Sequence, residues 1–250
     1  MDTCTKSAEH GFYTEPAYRL LREDSEHPLI LVCEHASHYI PPALHDLGLD
    51  KVAAREHIAW DPGALELAES LSQALGATLI AANYSRLLID LNRPRHAPDS
   101  IPLQSEIYQV PGNQHLDEAT REYRRQQLFT PFHQRLQRII DRRLAAGREV
   151  RVVGIHSFTP IYYSQPRSLE VGVLYGNATA YAARILEGLW ALPIKVAGNQ
   201  PYEIDPLSDM TVPVHGDARG LESVLIEVRN DLLRSPEAVQ CWSERLAPLL

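Results

Sequence analysis

The feature that most constrains this chain is an apolar run without alternation, Pro28-Leu-Ile-Leu-Val-Cys33, which stops abruptly at Glu34-His35-Ala-Ser-His38. A strand with one wet face alternates apolar and polar residues, so a continuous run of strand length indicates burial on both faces. Further strand candidates lie at 77–83, 85–94, 150–155, 170–176, 194–197 and 221–229. Segments of helical period separate many of them, at 46–60, 61–75, 118–146 and 178–189, and a terminal one covers 236–250. This alternation predicts an α/β fold with a mostly parallel sheet and helices on both faces. Ligands in such sheets sit at the carboxyl ends of strands. Polar clusters at His35, Asn92/Arg93, His156 and Glu227 fall at or near those ends.

The 250 residues suit one α/β domain over 1–250. Residues 1–27 read as a polar, partly ordered lead-in. Residues 94–117 read as a long loop, and loops of that length inside compact domains are usually functional or mobile. No apolar run approaches the roughly 18 to 20 residues of a membrane span. Asp2, Glu9 and Glu15 exclude a signal or basic transit segment. The net charge of −8 argues against a nucleic-acid partner. It leaves room for an anionic small molecule, since a local pair of arginines overrides the global sign. Cys4, Cys33 and Cys241 are an odd, widely spaced set without a CxxC, as expected in a reducing cytoplasm. The oligomeric state stays open.

Ser85-Arg-Leu-Leu-Ile-Asp-Leu-Asn-Arg-Pro94 puts Arg86 and Arg93 at the ends of an apolar body, with Asp90 and Asn92 beside the second. Paired guanidinium donors suit a planar carboxylate; the plainer reading is a solvated strand end with a salt bridge. His35 and His156 each end a strand, where a rigid backbone suits the fixed bond lengths of zinc. A catalytic zinc takes three protein ligands, and the third could be Asp61, Glu34 or His38. Asp61 is equally explained as the N-cap of the helix that Pro62 opens. Glu227 lies between Ile226 and Val228, where a carboxylate without a partner is costly. It reads either as a partner of Arg229 or as a general base tuned by burial. No GxSxG, P-loop or complete GxGxxG is present.

Six segments together are similar to one known family: Cys33-Glu-His-Ala-Ser37, Trp60-Asp-Pro-Gly-Ala-Leu65, Ser85 to Pro94, Ile155-His-Ser157, Asn199-Gln-Pro-Tyr202 and Ile226-Glu-Val-Arg-Asn-Asp231. In matching order, from about Leu29 to Leu233, they resemble the N-formylglutamate amidohydrolases. The resemblance implies a zinc-exopeptidase-like fold related to carboxypeptidases and aspartoacylases. It also implies one Zn2+ ion, and removal of the formyl group from an N-formyl amino acid, as in histidine degradation. His35 and His156 match the zinc-binding histidines, and Asp61 the acidic residue that is a third ligand or its partner. Asn92-Arg93 resembles the pair that holds a substrate carboxylate, with Arg86 or Arg229 as further cations. Glu227 falls where relatives place their catalytic glutamate. Asn199, Tyr202 and His215 are loop candidates for substrate contact. Where relatives carry the glutamate of a His-x-x-Glu zinc motif, this chain has His38. The implied partner is a small N-acyl amino acid, with neither nucleic acid nor membrane. Two rival readings use the same residues: hydrolysis of another acyl group or small peptide, and metal-free binding of a carboxylated metabolite.

Overall fold

The computed structural model describes residues 7–250. Cys4 and the first six residues of the expected lead-in lie outside them. In chain order the strands are β1 (Tyr18–Leu21), β2 (Leu29–Cys33), β3 (Thr78–Ala82), β4 (Gln104–Ser105), β5 (Tyr108–Gln109), β6 (Arg151–Phe158), β7 (Ile161–Tyr162), β8 (Gln165–Pro166), β9 (Val171–Leu174), β10 (Val196–Gly198) and β11 (Glu222–Arg229). The α-helices are α1 (Ala64–Leu75), α2 (Glu118–Arg124), α3 (Thr130–Ala145), α4 (Thr179–Trp190) and α5 (Pro236–Leu246).

Seven strands form one sheet in the order β1-β3-β2-β6-β11-β9-β10. The central four, β3, β2, β6 and β11, are mutually parallel. β1 joins one edge antiparallel, and β9 runs antiparallel to β11. The fold is the expected mostly parallel sheet with helices on both faces. Every residue of β2 and β3 is buried, and alternate side chains feed two cores. Leu29, Leu31 and Cys33 pack with Leu67 and Leu71 of α1, Ile185 of α4 and Trp242 of α5. Ile30 and Val32 pack with Phe132, Leu136 and Ile140 of α3 on the other side.

Four local expectations are corrected. The Ser85–Pro94 segment is a buried run of turns: Leu88 N–H donates to Ser85 O and Arg93 N–H to Asp90 O, while Ser85 Oγ and Asp90 Oδ1 accept from Leu87 and Asn92 N–H. Its leucines fill the α3-side core. Residues 46–60 hold the end of one short 3-10 piece, Pro42–Gly48, and the whole of another, Ala53–Arg55, in place of a helix. Asp50 Oδ1 there draws the N–H groups of Val52 and Ala53 out of a helical ladder. The lead-in contains an edge strand, β1. The 94–117 loop holds the small hairpin β4–β5. The long helical segment at 118–146 is divided by a π turn over Arg125–Phe129, just before Pro131 in the first turn of α3. No helix among the described residues is long and apolar enough to cross a membrane. Cys33 is buried, Cys241 exposed, and both are free thiols.

Candidate active site

Sheet register assembles the site. In the parallel pair β6–β11, His156 and Glu227 are direct partners, so the two side chains share a face. β2 runs parallel to β6 and ends at Cys33, which releases Glu34 and His35 beside His156. Asp61 arrives from the turn before α1, where its N–H donates to His35 O at 2.9 Å. Gly63 makes that turn at φ +81°, and a Cβ there would meet Leu233 Cβ at 2.4 Å. Asp61 does not cap the helix. The N-cap position belongs to Gly63, with no side-chain cap.

The Asp61 carboxylate is turned onto the imidazoles instead. Its Oδ2 lies 2.9 Å from His156 Nδ1 and 3.3 Å from His35 Nδ1. The far side of each ring is held by another carboxylate. His35 Nε2 is 2.7 Å from Asp90 Oδ1, and His156 Nε2 is 3.1 Å from Glu34 Oε2. Thr211 Oγ1 donates to the other Glu34 oxygen. The two rings meet edge to face at 4.7 Å between centroids. His38 stands apart, against the Trp60 ring.

Three buried carboxylates around two imidazoles make a site that favours positive charge at its centre. Burial alone would lower both histidine pKa values. The carboxylates reverse this, raising His35 through Asp90 and Asp61, against Arg86, and raising His156 well above its usual value through Glu34 and Asp61. Burial would also raise the carboxyls, yet His156 and His35 bring Glu34 down to about 2, and His35 and His156 depress Asp61 further. Asp90 is held well below its usual range, mainly by Arg86 and His35 opposing burial.

One ligand atom each from His35, Asp61 and His156 lies within 4.8 Å of the others. Two ring nitrogens and a carboxylate oxygen are a donor set that zinc uses in catalytic sites. Asp90 and Glu34 complete the fit: accepting from Nε2–H, they leave each Nδ1 lone pair facing Asp61. The residues present fit a divalent cation.

Glu227 lines the same cavity of about 410 Å³ as these three residues. It is buried, its Oε2 has no partner among the described residues, and burial pushes its pKa up to about 7, with His156 lowering it and Asp61 raising it. It does not pair with Arg229. That guanidinium binds Asp231 and the carbonyls of Arg167, Ser168 and Leu169, so it braces the strand end.

Arg86, Asn92, Arg93 and Tyr202 line the cavity, while Asn199, His215 and Arg229 do not. Arg86 binds Asp90 through Nε at 3.1 Å and Nη2 at 2.6 Å. Arg93 Nη1 donates to Asp209 at 2.8 Å, and its Nε lies 3.2 Å from Asp99. Asn92 Oδ1 accepts from the N–H groups of Met210 and Thr211. Asn199 accepts from Tyr175 N–H. His215 stacks on His133 and hydrogen-bonds to it at 2.9 Å. The sequence reading missed Asp90 as the residue behind His35. The only local signal was its four-residue spacing from Arg86.

Residues 27–234 match the protein family described as N-formylglutamate amidohydrolase. A solved gene product of Agrobacterium tumefaciens is 41% identical, with a TM-score of 0.91 over 94% of this chain and 93% of its own. An N-formylglutamate amidohydrolase from Ralstonia eutropha JMP134 shares the fold at 19% identity, with a TM-score of 0.67 over 94% of this chain and 96% of its own. No curated protein matches the chain.

Proposed function

Because the chain belongs to the N-formylglutamate amidohydrolase family, and is thus a hydrolase acting on amides, we propose that it removes the formyl group of an N-formyl amino acid with the help of one bound zinc ion. The observation that carries this reading is the convergence of His35 Nδ1, His156 Nδ1 and Asp61 Oδ2 beside the unpartnered Glu227 carboxylate.

His35, Asp61 and His156 would hold the metal. When bound, it would supply a Lewis acid and lower the pKa of water toward neutrality. Glu227 takes the proton from the attacking water as the new C–O bond forms at the formyl carbon. It returns that proton to the amine nitrogen as the C–N bond breaks, yielding formate and the free amino acid. A carboxyl whose burial places its pKa near 7 is suited to both transfers. Arg93, braced by Asp209 at Nη1 and by Asp99 at Nε, offers Nη2 to the substrate α-carboxylate, with Asn92 beside it. Arg86 is a positioning residue, since it orients Asp90 and through it His35. Ile58, Phe158, Leu174, Ile204 and Leu225 supply apolar wall to the cavity. The 94–117 loop contributes Ser105 and Glu106 to the rim.

Formate release from N-formyl amino acids by zinc-loaded protein tests the reading. Chelation should abolish turnover. Glu227→Gln should lose about 10²- to 10⁴-fold in kcat while retaining zinc. Full activity of that variant would remove Glu227 from the base role.

A further inference from the structure

The charges on the cavity wall bear on which amino acid accompanies the formyl group. We propose that the preferred substrate carries one carboxylate and a neutral or cationic side chain, and that the acidic segment beginning at Glu203 rejects a second carboxylate. This rests on the amidohydrolase reading above and specifies its substrate.

A dicarboxylate needs two open cations, and the wall offers one. Arg86 and Arg93 are the guanidiniums that line it. Arg86 is taken by Asp90 at 2.6 Å and by Asp61 at 3.5 Å. Arg93 is held by Asp209 at Nη1 and by Asp99 at Nε, which leaves Nη2 as its open donor for an α-carboxylate. His57 is paired with Glu106 at 2.8 Å. Arg167 does not line the cavity; its guanidinium lies over the rings of Tyr162 and Tyr202, at 4.4 and 5.1 Å, and donates to the Tyr202 hydroxyl.

Opposite these stand more carboxylates than the ion pairs consume. Six carboxylates line the cavity against two guanidiniums, so a divalent cation at the histidines still leaves the wall net negative. Glu203 is exposed and has no hydrogen bond or ion pair among the described residues. Asp205 accepts only from Leu207 N–H and Ser208 Oγ of its own turn and keeps its charge. These acids stand on a built site and not on an open surface, since the buried Glu227 carboxylate opens onto the same cavity with one oxygen unpartnered. The Tyr162 and Tyr202 rings supply apolar surface on the same wall. Both line the cavity and offer ring surface to an alkyl stem, the faces turned to Arg167 being taken by its guanidinium. Repulsion of the wrong ligand is as effective a source of selectivity as attraction of the right one.

The test is kcat/KM of the zinc-loaded protein on N-formyl derivatives of glycine, glutamine, lysine and glutamate. With the glycine compound as reference, lysine should exceed glutamate by about tenfold or more at low salt, with glutamine between them. Glu203→Lys should shrink or invert the lysine-to-glutamate ratio, and Glu203→Gln should reduce it. Because selectivity is a ratio, a general loss of activity in a variant cancels. A glutamate derivative that is the fastest of the four, or a ratio unmoved by Glu203→Lys, would overturn the proposal. Calorimetric binding of the same four compounds to zinc-loaded Glu227→Gln protein decides the matter independently of turnover. If none is hydrolysed but lysine still binds tighter than glutamate, the deformylation reading fails and the selectivity stands. Equal binding, or none, refutes the selectivity.

Discussion

Asp90 shows how much of the site's chemistry lies one residue behind the metal-facing atoms. Its carboxylate fixes His35 from the Nε2 side and is itself gripped by Arg86. Asp90→Asn should therefore weaken zinc binding about 10- to 100-fold in competition with a chelator; unchanged affinity would show that His35 needs no such support. Glu227 makes a second prediction at this scale. A base works only when deprotonated, so kcat/KM should rise with pH and fall on the acid side. The limb should have an apparent pKa between the ordinary glutamate value of about 4.3 and about 7, because burial raises the carboxyl and a neighbouring dication lowers it part of the way back. A profile that stays flat to below about pH 4.3, the ordinary glutamate value, would remove Glu227 from the base role. His35, His156 and Glu227 stood out because each lies at the edge of, or within, an apolar run, whereas Asp61, before Pro62, read equally as a helix cap or a third ligand. The supporting roles of Asp90 and Glu34 were not. Their partners lie 55 and 122 residues away in the chain, beyond any local pattern.

At the scale of elements, the segment from Ser85 to Pro94 is where local reading failed most. Leu87, Leu88, Ile89 and Leu91 are all buried, and a continuous apolar run has the same appearance in a strand and in a buried loop. What lets this loop sit inside the molecule is polar support from elsewhere. Arg124, fully buried, donates to Leu88 O and Asn113 Oδ1 and binds the Glu9 carboxylate. Asn113 Nδ2 in turn donates to Leu87 O. Such satisfaction of a buried backbone is obligatory, but no spacing announces it. His133 of α3 supports the same loop at Leu91 O and joins it to His215 in the turn over Thr211–Gly216. Burial lowers His133 to about 4 and His215 to about 3. Both stay neutral in the folded protein, so the stability they carry is present above the unfolded histidine pKa of about 6.5 and is lost as pH falls toward 4. In urea unfolding of zinc-loaded protein, the advantage of wild type over His133→Phe should shrink by about 2 kcal/mol between pH 7.5 and 5. A pH-independent difference would contradict the neutral, buried pair.

The molecule as a whole brings its polar strand ends together by register. Three parallel neighbours, β2, β6 and β11, end on one side, where His35 follows β2 and His156 and Glu227 stand two residues before the ends of β6 and β11. That arrangement was legible from alternating strand and helix patterns, because parallel crossovers leave few other solutions. The edges were not: β1 lay in a polar lead-in, and β9 reversed direction without a composition signal. The central claim is that this geometry holds one metal ion within reach of Glu227. Anomalous diffraction at the zinc edge, from crystals of zinc-loaded protein, tests it most directly. The account predicts a single strong peak among His35 Nδ1, His156 Nδ1 and Asp61, with Glu227 facing it across the cavity. A peak at any other cluster, or none between the two imidazoles, would contradict it.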